Sequence, residues 1–132
     1  MTMPHDPTPR RALGTAGEGH ALRFLEAKGY EVLVRQWRGD GGELDLVLRD
    51  GEELVAVEVK TRRGEGYGRA AESVTPRQSR TLLRAMAAFV ADHVPPDQPE
   101  PVWRVDLVAV TLDRTGRVVD VSHVENAFVA DG

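Results

Sequence analysis

Apolar positions along the chain repeat with two different periods. From Thr15 to Gly29 they recur every three or four residues, at Ala21, Leu22, Phe24 and Leu25, which predicts a helix. Thr15-Ala16-Gly17-Glu18 fits a capping box at its start, and Gly29 after Lys28 fits its end. Leu82, Met86, Phe89 and Val90 predict a second helical stripe. Thr75 suits its N-cap, Pro76 its first position and Gln78 the third position of the box, and Val94-Pro95-Pro96 stops it. Elsewhere the period shortens to two, at Tyr30 to Val34, Glu43 to Leu48, Leu54 to Lys60, Val102 to Val110 and Val118 to Val124. The order α, β, β, β, α, β, β predicts an α/β domain, a mixed sheet with helices packed on it.

Alternation assigns faces. Leu54, Ala56, Glu58 and Lys60 share one side of their strand, with Val55, Val57 and Val59 on the other. In the preceding strand Glu43, Asp45 and Val47 are expected on one face and Leu44, Leu46 and Leu48 on the other. Asp50-Gly51 is a hairpin signal between the two. Pairing across it brings Asp45 toward Glu58 and Lys60, a group that is costly to desolvate unless paired or bound to a cation.

With 132 residues, 41% of them apolar, the chain can bury one core. We expect a disordered tail over residues 1–12, where Pro4, Pro7 and Pro9 stand among charges, and a single domain over 13–132. Gly39-Asp40-Gly41-Gly42 and the segment through Gly64, Gly66 and Gly68 read as flexible connections. No apolar run is long enough to span a membrane and the N-terminal segment lacks a signal-peptide core, so a cytoplasmic location is expected. The absence of cysteine excludes disulfides and thiolate metal sites. A formal net charge of −4 argues against nucleic-acid binding by bulk electrostatics alone. The distribution is uneven, however: Lys60, Arg62, Arg63, Arg69, Arg77 and Arg80 face only Glu65 and Glu72 across residues 60–80.

Asp45, followed after twelve residues by Glu58-Val59-Lys60, matches the PD-(D/E)xK signature of restriction-endonuclease-like nucleases. Two carboxylates so placed can hold Mg²⁺ or Mn²⁺, which polarises a phosphoryl oxygen and lowers the pKa of water, while Lys60 orients that water or neutralises charge growing on the phosphate. The plainer alternative is a same-face ion pair of Glu58 and Lys60 beside an ordinary strand acid. Glu18 lies on the helix face of Ala21, Leu22 and Leu25, so it points toward the sheet as a further ligand, a water-orienting group or a cap. Gln78 has the same choice between capping and the site, and Glu43 shares the face of Asp45. Asp106 reads as a structural acid needing a partner, and His123 as a satisfied polar residue. Trp37 with Arg35 and Arg38, and Arg62, Arg63 and Arg69, suit contact with phosphates and bases or an ordinary surface.

These residues together resemble the YraN-like family of small bacterial proteins, regarded as predicted endonucleases. The resemblance runs from about Gly14 to Phe128 through Gly14-Thr15-Ala16-Gly17-Glu18, Gly29-Tyr30, Gln36-Trp37-Arg38, Gly42-Glu43-Leu44-Asp45-Leu46, Val57-Glu58-Val59-Lys60-Thr61-Arg62, Gly68, Val74-Thr75-Pro76 and Arg104-Val105-Asp106. It implies a restriction-endonuclease-like fold with a layout similar to archaeal Holliday-junction resolvases. It also implies Asp45 and Glu58 as metal ligands, Lys60 as the catalytic lysine and Glu18 as the helix acid. Leu44 stands where the superfamily signature has Pro, Gln78 where relatives often have Lys and Gln36 where they usually have Asn. The implied activity is metal-dependent hydrolysis of DNA phosphodiester bonds, with branched or otherwise structured DNA as the candidate substrate. Resolvase-like cleavage of symmetric strands would require a homodimer. The alternatives are a module that keeps the fold and binds nucleic acid or a repair partner without cutting, and a dimeric scaffold that binds no nucleic acid.

Overall fold

The computed structural model describes residues 9–64 and 74–130, with side chains from residue 16 onward. The elements run α1 (Pro9–Ala27), β1 (Glu31–Gly39), β2 (Gly42–Asp50), β3 (Glu53–Arg63), α2 (Pro76–His93), β4 (Trp103–Leu112) and β5 (Val118–Val124). The strands form one sheet in sequence order. Neighbours are antiparallel except β3 and β4, which are parallel and joined across α2. This mixed sheet with two helices has the expected order and is consistent with a restriction-endonuclease-like fold.

The alternation read from the sequence sorts the core onto two faces. On one, Ala21 and Leu25 of α1 meet Leu46, Leu48, Val55, Val57, Val108 and Val110. On the other, Leu82, Ala85, Met86, Phe89 and Val90 of α2 meet Val47, Leu54, Ala56, Val105 and Leu107, with Phe128 closing the layer. Each fully buried large side chain contributes roughly 1.5–3 kcal/mol of transfer free energy. Among the described residues no helix is long and apolar enough to cross a membrane.

Local signals explain most boundaries. Thr75 caps α2, its hydroxyl accepting from the Gln78 N–H at 3.1 Å, and Pro76 occupies the first turn. Gly29 ends α1 at φ +96, a conformation that costs a side chain but not glycine. Two boundaries differ from the sequence reading. α1 starts at Pro9 rather than near Thr15, so residues 9–12 are helical and Glu18 lies inside the helix; proline at a first helical position supplies the required φ and loses no internal bond. The expected tail over residues 1–8, and the expected flexible segment over 65–73, lie outside the described residues. Gly39 to Gly42 forms a tight hairpin instead of a loose connection, with Asp40 at φ 50 and Gly41 at φ 76, the pair of positive angles that continues the strand twist.

Candidate active site at a fork in the sheet

The β2–β3 ladder begins at Asp50↔Glu53 and ends at Leu46↔Val57. The next pair would be Asp45 and Glu58. There the strands part: β3 continues to Arg63 paired only with β4, and β2 continues paired only with β1. Asp45 fills the start of the gap, its Oδ2 accepting from the Val59 N–H at 2.9 Å, a donor that the ladder no longer satisfies. The alternation also breaks here. Leu44 packs with the α2 core while Leu46 and Leu48 pack with the α1 core, so these three leucines do not share a face as expected.

The predicted companions meet at this fork. Glu58 and Lys60 form the same-face pair, Nζ to Oε1 3.5 Å, both largely shielded from solvent. Glu18 approaches from α1 and accepts from Gln36 Nε2 at 2.5 Å. Gly17 makes that approach possible: a Cβ there would stand 1.7 Å from Thr61 Oγ1, so only glycine lets the helix sit this close to β3. Gln36 lies on β1 between the pairs Arg35↔Leu46 and Trp37↔Leu44, beside Asp45, and has φ 55. A non-glycine residue in that region inside a strand is strained, which ties the backbone of β1 to the site.

Electrostatics at the fork are one-sided. Burial pushes the Asp45 carboxyl up to about 7 and the charge of Glu58 adds to it, against the pull of the Val59 hydrogen bond. Burial likewise raises Glu58 despite Lys60, and raises Glu18 despite Gln36 and Arg35. Glu43 adds to the repulsion on all three. Burial thus shifts all three carboxyls toward their neutral forms, with the Lys60 ammonium beside Glu58. Among the described residues, no three His, Asp or Glu side chains converge to form a complete metal cage. Mg²⁺ and Mn²⁺ fit the donor set, since such ions take one or two carboxylates and fill the remaining positions with water and phosphate oxygens.

Other residues singled out from the sequence have different surroundings. Gln78 sits in the first turn of α2, bound to Thr75 through its backbone. Trp37 packs edge-on against Phe89, 5.4 Å between centroids, and against His93, which fastens β1 to α2. Arg38 pairs across the hairpin with Glu43 at 3.3 Å. Arg62 is half-buried and Arg63 exposed at the end of β3, whereas Arg69 lies outside the described residues.

Asp106 has the partners its burial demands. It is fully buried and accepts from Arg104 Nε at 3.1 and 3.2 Å and from the Asn126 N–H at 2.9 Å, with His123 Nε2 at 2.8 Å. Sequence reasoning anticipated the need for a partner but not the hub. Arg104 also binds Glu53 and Tyr30, all of them brought together only by the folded sheet. The fork and the role of Gln36 were missed too. Neither leaves a periodic signal, because both depend on where a ladder stops.

Residues 17–110 match the model of "Uncharacterised protein family UPF0102". A UPF0102 protein of Roseiflexus castenholzii is 44% identical over 119 residues, covering 89% of this chain and 94% of the relative. One from Acidothermus cellulolyticus is 49% identical over 126 residues, covering 90% and 95%. A third, from Frankia alni, is 47% identical over 117 residues, covering 89% and 94%.

Proposed function

The chain belongs to the UPF0102 family, and we propose that it is a metal-dependent endonuclease of the restriction-endonuclease-like superfamily, hydrolysing phosphodiester bonds in DNA, with branched or structured DNA, as for resolvases, the candidate substrate. The observation that carries this reading is the fork, where Asp45 and Glu58 lie beside Lys60 with more buried acid than the fold itself neutralises. A fold selected for stability alone would not retain such a group.

Asp45 and Glu58 would hold Mg²⁺ or Mn²⁺. When bound, such an ion supplies Lewis acidity to the phosphoryl group and acidity to water. The Val59 N–H fixes one oxygen of Asp45 and so sets the direction of its carboxylate. Lys60 keeps a positive charge where negative charge grows on the phosphate. Glu18, aimed by Gln36 and raised by burial, is suited to take a proton from attacking water.

Linear, flapped and four-way DNA incubated with Mg²⁺ or Mn²⁺ tests the proposal. Wild type should cut at least one of them, and Asp45→Ala and Glu58→Ala should each lower the rate by at least about 100-fold. Cleavage indifferent to both substitutions, or absent from every substrate, sinks it. A non-catalytic module that keeps the fold and binds nucleic acid or a repair partner is the second reading, favoured by the Glu58–Lys60 ion pair, which gives both side chains a role without metal. Salt-sensitive retention of DNA without turnover would select it.

A further inference from the structure

Beside the fork, α2 carries charge that its own stability does not call for. Arg77, Arg80 and Arg84 are exposed and spaced three and four apart, so they form one ridge. The first turn holds no acid, and the helix has none before Asp92. The N-terminal end of a helix is its positive pole, where acids stabilise and cations are disfavoured. Arg77 and Arg80 therefore stand where helix formation alone would put Asp or Glu.

Opposite this ridge lies the β1–β2 hairpin. Gly42 packs onto α2 so closely that a Cβ would stand 3.0 Å from Ala85 Cβ and 3.1 Å from the Thr81 carbonyl oxygen. Above that contact a groove of about 560 Å³ remains, lined by Arg38, Gly39, Gly41, Gly42, Glu43 and Thr81. Arg38 stands on its hairpin rim with 81% of its side chain exposed. Arg84 on the helix rim reaches over to Asp40 at 3.9 Å. Among the described residues the ion pairs of these two arginines are to the exposed or half-exposed carboxylates of Glu43 and Asp40, which a phosphate can displace at little cost. Glycines on the floor let a sugar–phosphate chain approach the backbone. The groove also leads to the site: Glu43 lies within electrostatic reach of Glu18, Asp45 and Glu58, and Gly42 is three residues from Asp45, about 10 Å along the strand.

We propose that this groove is the track of one polynucleotide strand, whose phosphates run between Arg38 and the Arg77–Arg80–Arg84 ridge before entering the fork. The inference rests on the nuclease reading of Asp45 and Glu58, to which it adds the surface that delivers the substrate. Arg77 and Arg84 are seven residues apart, about 10.5 Å along the helix axis. That length lets the two end arginines reach different phosphates of one strand.

The test is fluorescence anisotropy of a labelled single strand of roughly 20 nucleotides, titrated in Ca²⁺ at several salt concentrations, with gels confirming an intact strand. Arg77→Gln/Arg84→Gln should weaken binding about tenfold or more and make the salt slope shallower by roughly 1.4, since each lost contact removes about 0.7 on a single strand. Arg77→Lys/Arg84→Lys should recover the slope. Arg49→Gln/Arg114→Gln, exposed arginines outside the groove, should bind as wild type does, and melting temperatures should show all variants folded. Unchanged binding by the glutamine pair, or an equal loss in the control pair, overturns the track. If metal-dependent cleavage still depends on Asp45 and Glu58 in that case, only the track falls. If wild type neither binds nor cuts, the fork reading falls with it.

Discussion

Two groups of buried acid lie in the same sheet and are treated in opposite ways. Around Asp106 the fold supplies every partner: a guanidinium, an imidazole and a backbone N–H converge on one carboxylate with no exposure at all. Around Asp45 the fold supplies more acids, from Glu58, Glu18 and Glu43, and the Lys60 ammonium, the Val59 N–H, the Gln36 amide and the Arg35 charge leave Asp45, Glu58 and Glu18 still raised. Burial depth does not separate the two regions, since the acid with the fuller set of partners is the deeper one. What separates them is compensation from within the chain, and an uncompensated group of acids is completed from outside, by a cation.

The largest effect should come from breaking the compensated region. Arg104 ties Asp106, Glu53 and Tyr30 together and so links β4 to the β2–β3 hairpin and to the start of β1. Arg104→Ala leaves a fully buried carboxylate without its main countercharge, and a loss of about 3–5 kcal/mol is expected, measured as the shift in urea midpoint at neutral pH. A loss below about 1 kcal/mol would mean that Asp106 is neutralised by other means, and the contrast with the fork would lose its basis.

The fork should respond in the reverse direction. The Asp45 carboxyl is raised from its ordinary value near 3.8 to about 7, so the folded state holds its proton more tightly than the unfolded chain does. That contribution is complete below about pH 4 and disappears as pH rises through about 7. Metal-free protein should therefore lose roughly 2–4 kcal/mol of stability between pH 4 and pH 8, with Glu58 shifting in the same sense. Asp45→Asn, which still offers an oxygen to the Val59 N–H, should flatten most of this slope and exceed wild type in melting temperature at pH 8. Mg²⁺ at pH 8 should raise the wild-type melting temperature and leave the variant nearly unmoved. A variant less stable than wild type throughout that range would show that the charged carboxylate is already satisfied.

These contrasts also show what a sequence can disclose. The second helix was legible to the residue because Thr75, Pro76 and Gln78 act on their own neighbours, and β5 was bounded by equally local turn signals. Asp40-Gly41 carried the same kind of signal for the first hairpin, but its flanking glycines suggested slackness. Asp45, Glu58 and Lys60 were found because alternation and one hairpin suffice to bring them together. The break at Leu44, the strained Gln36 and the close approach of Gly17 to Thr61 were not, because each depends on two elements distant in sequence. The linking role of Arg104 was not legible for the same reason, its partners lying at Tyr30, Glu53 and Asp106.

The smallest effect offers the sharpest version of the comparison, because the same atom can be deleted in both regions. The Tyr30 hydroxyl accepts from Arg104 Nη2 at 2.7 Å within the compensated network. Thr61 Oγ1 is buried beside Gly17 with no hydrogen-bond partner among the described residues. Tyr30→Phe removes a satisfied acceptor and leaves Arg104 Nη2 with only the longer contacts to Asp50 at 3.6 Å and Glu125 at 3.8 Å, so a cost of about 1–2 kcal/mol is expected. Thr61→Val removes an oxygen already stripped of water, keeps the branched shape that suits a strand, and should be neutral or stabilising by up to about 1 kcal/mol. Urea midpoints with unchanged slopes would measure both. If Thr61→Val costs as much as Tyr30→Phe, the threonine hydroxyl has a partner in solution, an ordered water being the simplest. Polar groups near the fork would then be supplied from outside the chain even without metal, and the difference between the two regions would be one of partner identity and not of missing partners.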